Sequence, residues 1–340
     1  MGRDVHDAHR HGDAEPATQD GAQRAAREVT AQSLEAHPWC RAAPGRHPRL
    51  CPVSTSWALV RLLRPKQWAK NLLVLAAPFA AGSLLEPAVA GSTGVAFVSF
   101  CLASSAVYCL NDVADREADR LHPTKRLRPV ASGELSERTA TGAGVVLAVL
   151  ALALAALASW ALVAVLAAYL VLQAGYAGWL KHEPVLDIVA ITVGFLLRAV
   201  AGGLAAHLPI SQWFLLVAGF GSLFMVSGKR YSELHTLGSE AGTRRSLVRY
   251  TPTYLRFVWS MAAAVTAMAY SLWAFEIGGG TSVPWHTISI APFVIGLLRY
   301  AVDIDAGTAA EPEDIVFADR TLQAIGLLWV LTLALGVLGV

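Results

Sequence analysis

The chain is short of charge. Asp, Glu, Lys and Arg make up 15% of its 340 residues and hydrophobic residues 55%, where a soluble domain carries about a quarter charged residues. That balance excludes a soluble enzyme and a wholly disordered protein. Cysteine is scarce as well: Cys40, Cys51, Cys101 and Cys109, with no CxxC pair. A disulfide scaffold and a zinc knuckle are thereby excluded. Cys101 and Cys109 lie in one apolar run and read as small buried hydrophobes. A third lack is local, since residues 1–56 contain no apolar run. With no hydrophobic region, no signal peptide is expected there. Such a stretch buries too little apolar area to offset chain entropy, so it reads as a disordered cytoplasmic tail. His6, His9 and His11 read as loose histidines of a flexible end rather than a metal site.

What remains, residues 57–340, is a series of long apolar runs separated by polar bursts. Each run has the length that spans a bilayer. Breakers divide them into nine expected helices, at 66–85, 88–110, 138–158, 160–180, 186–206, 211–228, 254–276, 285–302 and 321–339. The fold class is therefore all-α, a polytopic membrane bundle of nine transmembrane helices.

The basic residues test this map. Of 27 Lys and Arg, eleven lie at or before Lys70 and six between the second and third helices. Lys181 follows the fourth. Six more, including Arg244 and Arg245, follow the sixth, and Arg299 and Arg320 flank the last loop. The loops after helices one, three, five and seven hold none. Basic loops stay cytoplasmic, which puts the N-terminus inside, the C-terminus outside and an odd number of helices between them. The remaining basic residue, Arg198, falls inside the fifth helix, where a charge marks a functional position unless an internal ion pair accounts for it.

The strongest chemical signal is Asn111, Asp112, Asp115 and Asp119 at the end of the second helix. Spacings of three and seven put the aspartates on one face if the helix continues. Three carboxylates there repel one another unless a cation gathers them, and Mg²⁺, or Mn²⁺ in its place, is commonly held by a few carboxylates with substrate phosphates. A solvated acidic helix end neutralised by Arg116 and Arg120 is the plainer alternative. Lys125, Arg126 and Arg128 follow at once and suit a phosphate clamp, although alone they would read as a topology or anionic-lipid signal.

Further polar groups belong to the same side. Lys66 with Lys70, and Gln67 with Asn71, pair at i, i+4 on the first helix. Lys181 ends the fourth helix. Asp187 and Arg198 lie eleven residues apart on one face of the fifth, about 16 Å by helix rise. Lys229, Arg230, Tyr231 and Glu233 end the sixth. Glu311, Glu313, Asp314 and Asp319 stand before the last helix. Together these groups suit a metal–phosphate substrate at a membrane face.

The Asn-Asp-x-x-Asp-x-x-x-Asp pattern of Asn111–Asp119, followed by Arg128-Pro129 and Gly133, resembles the UbiA superfamily of intramembrane prenyltransferases. Arg64-Pro65-Lys66-Gln67-Trp68-Ala69-Lys70-Asn71, His122–Pro129, Gly194–Gly203 and Ser227–Glu233 are similar to its branch making polyprenyl-phosphoryl-5-phosphoribose. The quinone-type branch carries a second aspartate-rich motif after the sixth helix; here Glu233 is the only nearby carboxylate. The resemblance implies transfer of 5-phosphoribosyl from phosphoribosyl diphosphate to a polyprenyl (decaprenyl) phosphate, releasing diphosphate for arabinan precursors of the cell wall. It implies Asp112, Asp115, Asp119 and Lys66 as the catalytic set. Asn111 joins the three aspartates as the Mg²⁺ ligands. Lys66, Gln67, Lys70, Asn71, Lys125, Arg126, Arg128, Lys181, Asp187, Arg198, Lys229, Arg230, Tyr231 and Glu233 are implied on the substrates. The expected setting is a bacterial plasma membrane with the site on its cytoplasmic face. No nucleic-acid partner is expected, and a homo-oligomer stays open. The competing readings are a transferase using an isoprenyl diphosphate and an aromatic acceptor, and, in another class, a secondary transporter.

Overall fold

The computed structural model describes residues 55–122, 124–237, 247, 249–277 and 283–339. The stretch 1–54, Arg244, Arg245, and the side chains of Glu313 and Asp314 lie outside that description. Among the described residues there is no strand. The major elements are α1 (Thr55–Leu63), a 3₁₀ segment (Pro65–Leu75), α2 (Ala76–Ala80), α3 (Pro87–Ala114), α4 (Arg116–Leu121), α5 (Glu137–Ala156), α6 (Trp160–Gly178) and α7 (Leu186–Ala205). They continue with α8 (Gln212–Leu237), α9 (Pro252–Ile277), α10 (Trp285–Ile288), α11 (Ile290–Asp305), α12 (Pro312–Ala318) and α13 (Arg320–Val337).

Seven stretches among the described residues are long and apolar enough to cross a membrane: α3, α5, α6, α7, α9, α10 with α11, and α13. The other two expected spans differ in character. The sixth, α8, is long enough but runs on through Lys229, Arg230 and Glu233. The first is not one helix. It opens with α1, two residues inside the stretch read as tail, breaks at Arg64, and continues as eleven residues of 3₁₀ helix before α2. So long a 3₁₀ run is uncommon. Its three-residue turn also replaces the expected i, i+4 pairs: Trp68 and Asn71, three apart, both hydrogen-bond to α3, at Ser105 Oγ (3.0 Å) and Ser104 Oγ (3.2 Å).

The packing explains why the segment stays in place. In a bilayer, apolar burial does not drive helices together, so close approach through small residues matters more. Helix α3 buries Ala96, Ser99, Ala103, Ser104, Ser105 and Ala106. On α7, a Cβ built at Gly202 would stand 2.0 Å from the Val74 carbonyl oxygen, so only glycine lets α7 lie against the 3₁₀ segment. A Cβ at Gly228 of α8 would meet Ile304 Cδ1 at 2.4 Å. One apolar cluster, with Val74, Phe100, Leu166 and Tyr169, joins the 3₁₀ segment, α3, α5, α6 and α7. A second, with Phe224, Leu255, Tyr300 and Ile304, joins α7, α8, α9 and α11. Facing away from both, Val145, Val149 and Leu150 of α5 and Leu327 and Leu331 of α13 are exposed, as a lipid-covered surface requires. Helix starts are capped: Ser136, Ser159 and Asp319 accept from backbone N–H groups in the first turns of α5, α6 and α13.

Candidate active site

Helix α3 carries Asn111 and Asp112 at its end, and the backbone leaves helical geometry at Asp115 (φ −93°, ψ 3°) before α4 resumes. The expected continuous helix is therefore interrupted within the motif, and the three aspartates do not form one row with a shared partner. Asp112 and Asp119 are buried, at 2% and 3% exposure. Arg128 joins them, with Nη1 2.6 Å from Asp119 Oδ2 and 3.4 Å from Asp112 Oδ1. Asp115 is half-buried and pairs with Lys181 Nζ at 3.1 Å. Asn111 is half-buried, and its carbonyl accepts from Asp115 N at 2.9 Å.

Arg64, not assigned a role by its sequence context, makes the shortest contact of the site. Its Nη2 lies 2.5 Å from Asp112 Oδ1, and its guanidinium sits 4.8 Å from the centre of the Tyr108 ring. Its backbone is left-handed (φ 52°, ψ 60°). A non-glycine residue pays for that conformation, and here the ion pair and the ring contact hold it. Two signals were available: Arg64 opens the motif that resembles the phosphoribosyl branch, and Pro65 disfavours α geometry in the residue before it and so marks a helix break.

Asp112 Oδ2 is buried and has no hydrogen-bond partner among the described residues. Buried carboxylate oxygens are normally satisfied, so this one is open to a cation. No three His, Cys, Asp or Glu side chains among the described residues could cage a metal by themselves. The donor set fits an ion held by Asp112 and Asp119 and completed by phosphate oxygens, the usual arrangement for Mg²⁺. Lys66 and Arg126 are exposed, and Gln67, Lys70 and Lys125 half-buried. The side chains of Lys66, Lys125 and Arg126 have no hydrogen bond or ion pair among the described residues.

Two other sets of expected site residues are gathered into separate networks. In the first, Arg198 lies inside the bundle, as expected, but meets neutral groups. Its Nε donates to Asn71 Oδ1 (2.8 Å), Nη1 to the Gly194 carbonyl (2.9 Å) and Nη2 to the Tyr169 hydroxyl (2.8 Å). In the second, Asp187 is fully buried, with Arg230 Nε 3.3 Å away. Arg230 Nη1 reaches Glu233 at 2.6 Å, and Lys229 reaches Glu311 at 3.2 Å. Tyr231 accepts from Arg256 (2.7 Å), which also pairs with Asp305 (2.8 Å). Tyr250, which no sequence motif singles out, donates to Asp187 Oδ1 and accepts from Val185 N, both at 2.5 Å. Burial and the bond to Asp187 push its hydroxyl above the usual phenol range.

The link before α7 joins the aspartate motif to the second network. Within seven residues, Lys181 pairs with Asp115, Glu183 with Arg249, Val185 with Tyr250, and Asp187 with Arg230 and Tyr250. Val185 takes a positive φ of 68° there.

The sequence profile of the UbiA prenyltransferase family matches residues 72–319. Decaprenyl-phosphate phosphoribosyltransferase of Corynebacterium glutamicum is 46% identical over 317 residues, 91% of this chain and 95% of the relative. The protein of that name from Mycobacterium tuberculosis is 48% identical over 291 residues, 84% and 96% of the two chains. Among solved structures, a UbiA homolog from Archaeoglobus fulgidus bound to GPP and Mg²⁺ superposes with a TM-score of 0.65 at 20% identity, covering 83% of this chain and all of that one. The family match spans most of the chain, and the aspartate motif lies within it: the chain belongs to the UbiA prenyltransferase family.

Proposed function

We propose that the protein transfers 5-phosphoribosyl from phosphoribosyl diphosphate to a polyprenyl phosphate, decaprenyl phosphate being the acceptor its relatives' names point to. The observation that carries the reading is the buried Asp112–Arg128–Asp119 unit with its open carboxylate oxygen, together with Lys66, Lys125 and Arg126, which pair with no carboxylate among the described residues. A donor with a diphosphate and a 5-phosphate, and an acceptor with another phosphate, suit such an excess of positive groups. An isoprenyl diphosphate supplies fewer phosphates, and the place of a second aspartate motif is taken by Lys229, Arg230 and Glu233, which pair with one another and with Glu311 and Asp187.

Asp112 and Asp119 are the residues to hold Mg²⁺ or Mn²⁺, which when bound supplies Lewis-acid stabilisation of the leaving diphosphate. Arg128 reaches both carboxylates and Arg64 reaches Asp112, and both have the planar fork that matches phosphate oxygens. Lys66, Lys125 and Arg126 are left for the remaining phosphates. The acceptor phosphate is ionised at neutral pH, so its oxygen attacks C1 of the ribose without a strong general base. The C1–O bond to diphosphate breaks as the new bond forms on the opposite face, with inversion at C1. Lys181 fixes Asp115, and with it the break between α3 and α4, rather than touching the reacting atoms. The lipid tail lies along the apolar helices. By the distribution of basic residues, this face of the bundle is cytoplasmic, with the C-terminus outside.

The test is a reaction of purified protein with Mg²⁺, polyprenyl phosphate and either phosphoribosyl diphosphate or an isoprenyl diphosphate. A phosphoribosylated lipid from the first donor only is the expected product. Product from the isoprenyl donor alone would overturn the proposal, and so would vesicle uptake with no product at all, which is the transporter outcome.

A further inference from the structure

Arg64 and Arg128 both bind Asp112 Oδ1, at 2.5 and 3.4 Å, and Arg128 also binds Asp119. The two carboxylates best placed for a metal are thus already neutralised by the chain. Arg64 pairs with one of the two carboxylates, where Arg128 joins both. It sits at a helix break in a left-handed conformation, with the Tyr108 ring beside its guanidinium. It is followed directly by the 3₁₀ segment, whose early turns carry Lys66 and Lys70.

Building on the metal reading above, we infer that Arg64 is a switchable counter-ion. In the absence of donor it holds Asp112. When the metal binds Asp112 it releases that carboxylate, and its guanidinium pairs with the donor's diphosphate. One positive group is exchanged for another at Asp112, and the displaced one meets the charge that arrives with the metal. The consequence is coupled binding. Metal alone must compete with Arg64 for a buried carboxylate. Diphosphate alone must draw Arg64 away and leave Asp112 with Arg128 only. Together, each removes the other's cost, and the coupling is reciprocal. A site with this device holds the metal only weakly until the donor is present.

Equilibrium dialysis of the full chain in detergent against Mn²⁺, with and without inorganic diphosphate on both sides, reads the coupling without turnover. Wild type is expected to retain Mn²⁺ weakly alone and strongly with diphosphate. Arg64→Asn removes the cation while keeping a residue that tolerates positive φ. It should bind Mn²⁺ alone about tenfold more tightly, the scale of one charge-assisted hydrogen bond, and gain less from diphosphate. Arg64→Lys should stay near wild type. Arg61→Gln makes the same change in charge one turn away, where Arg61 pairs with Glu134, and should leave Mn²⁺ binding unaltered. Two results overturn the inference while the metal reading stands: wild type binding Mn²⁺ equally well with and without diphosphate, or Arg64→Asn binding it no better than Arg61→Gln. If wild type retains no Mn²⁺ in either condition, or retains it unchanged after Asp112→Asn, the metal reading itself fails and takes the inference with it.

Discussion

Arg198 and Asn71, 127 residues apart in sequence, are joined by a 2.8 Å hydrogen bond inside the bundle. Asn71 passes the contact on, donating to Cys101 Sγ at 3.3 Å and Ser104 Oγ at 3.2 Å. With Gly194 and Tyr169 accepting the other guanidinium donors, the arginine ties α7 to α6 and to the 3₁₀ segment, and through it to α3. A charge in this position would be costly without such partners. Its neighbours identify it as the fastener of the segment that carries Lys66 and Lys70.

Arg198→Lys keeps the charge but loses the planar fork, and Asn71→Ala leaves Nε without its acceptor. Each is expected to cost about 1.5–3 kcal/mol, the range for a hydrogen bond to a charged group. Thermal unfolding in detergent checks this. KM values of the surviving folded enzyme should hold. A raised KM for one substrate with unchanged stability would instead make Arg198 a phosphate ligand.

Gly202 tests the same junction sterically. Gly202→Ala sets a methyl group 2.0 Å from the Val74 carbonyl oxygen, so the 3₁₀ segment or α7 must move. Overpacking of this kind costs about 1–3 kcal/mol or more. Folded yield and turnover should both drop. At Gly219 of α8, a Cβ would meet nothing within 4 Å. Gly219→Ala should therefore be neutral, or stabilising by up to about 1 kcal/mol through helix propensity. Equal tolerance of the two substitutions would contradict the packing described.

The aspartates should not be equivalent. Asp112→Asn and Asp119→Asn alter the two buried carboxylates that Arg128 joins, and turnover is expected to fall at least about a hundredfold, as for loss of a metal ligand or its close support. EDTA should act likewise on wild type. Asp115→Asn loses the Lys181 pair at a half-buried position and should retain more activity than either. Steady-state rates at saturating Mg²⁺ decide it, and full activity of Asp112→Asn would remove the metal from the proposal.

The legible parts were those with a period or a spacing. Apolar runs located the long helices, and the motif spacing located Asp112, Asp115 and Asp119. What stayed hidden depended on backbone geometry. A 3₁₀ turn and an α turn share the same apolar composition, so the i, i+4 reading of Lys66, Gln67, Lys70 and Asn71 missed the register that puts Trp68 and Asn71 on α3. The break at Asp115 is a single residue and has no glycine or proline to announce it. Arg64 looked like one more basic residue at a helix start because its partner, Asp112, is 48 positions away. Arg198 stood out as a lone charge in an apolar run, yet nothing local could name Asn71 and Tyr169, two of its three neutral partners.

Tyr250 supplies the last prediction. Its hydroxyl donates to fully buried Asp187 and accepts from Val185 N, and its pKa is raised in the fold by burial and by the bond to that carboxylate. An unfolded tyrosine ionises near pH 10. Because the folded value is higher, the folded state disfavours the phenolate. The contribution is fully present below about pH 10 and is lost as pH climbs from there toward the folded value. Ionisation would place a second negative charge against Asp187 and remove the donor it relies on. Wild-type melting temperature should therefore decline more steeply above about pH 10 than that of Tyr250→Phe, which has no group to ionise. At neutral pH the order reverses: Tyr250→Phe should be less stable by about 1–3 kcal/mol, since it leaves a buried acceptor on Asp187 and the Val185 N–H with one partner fewer. Melting curves of both proteins from pH 7 upward check this. Parallel pH profiles would show that the Tyr250–Asp187 bond does not anchor the link before α7.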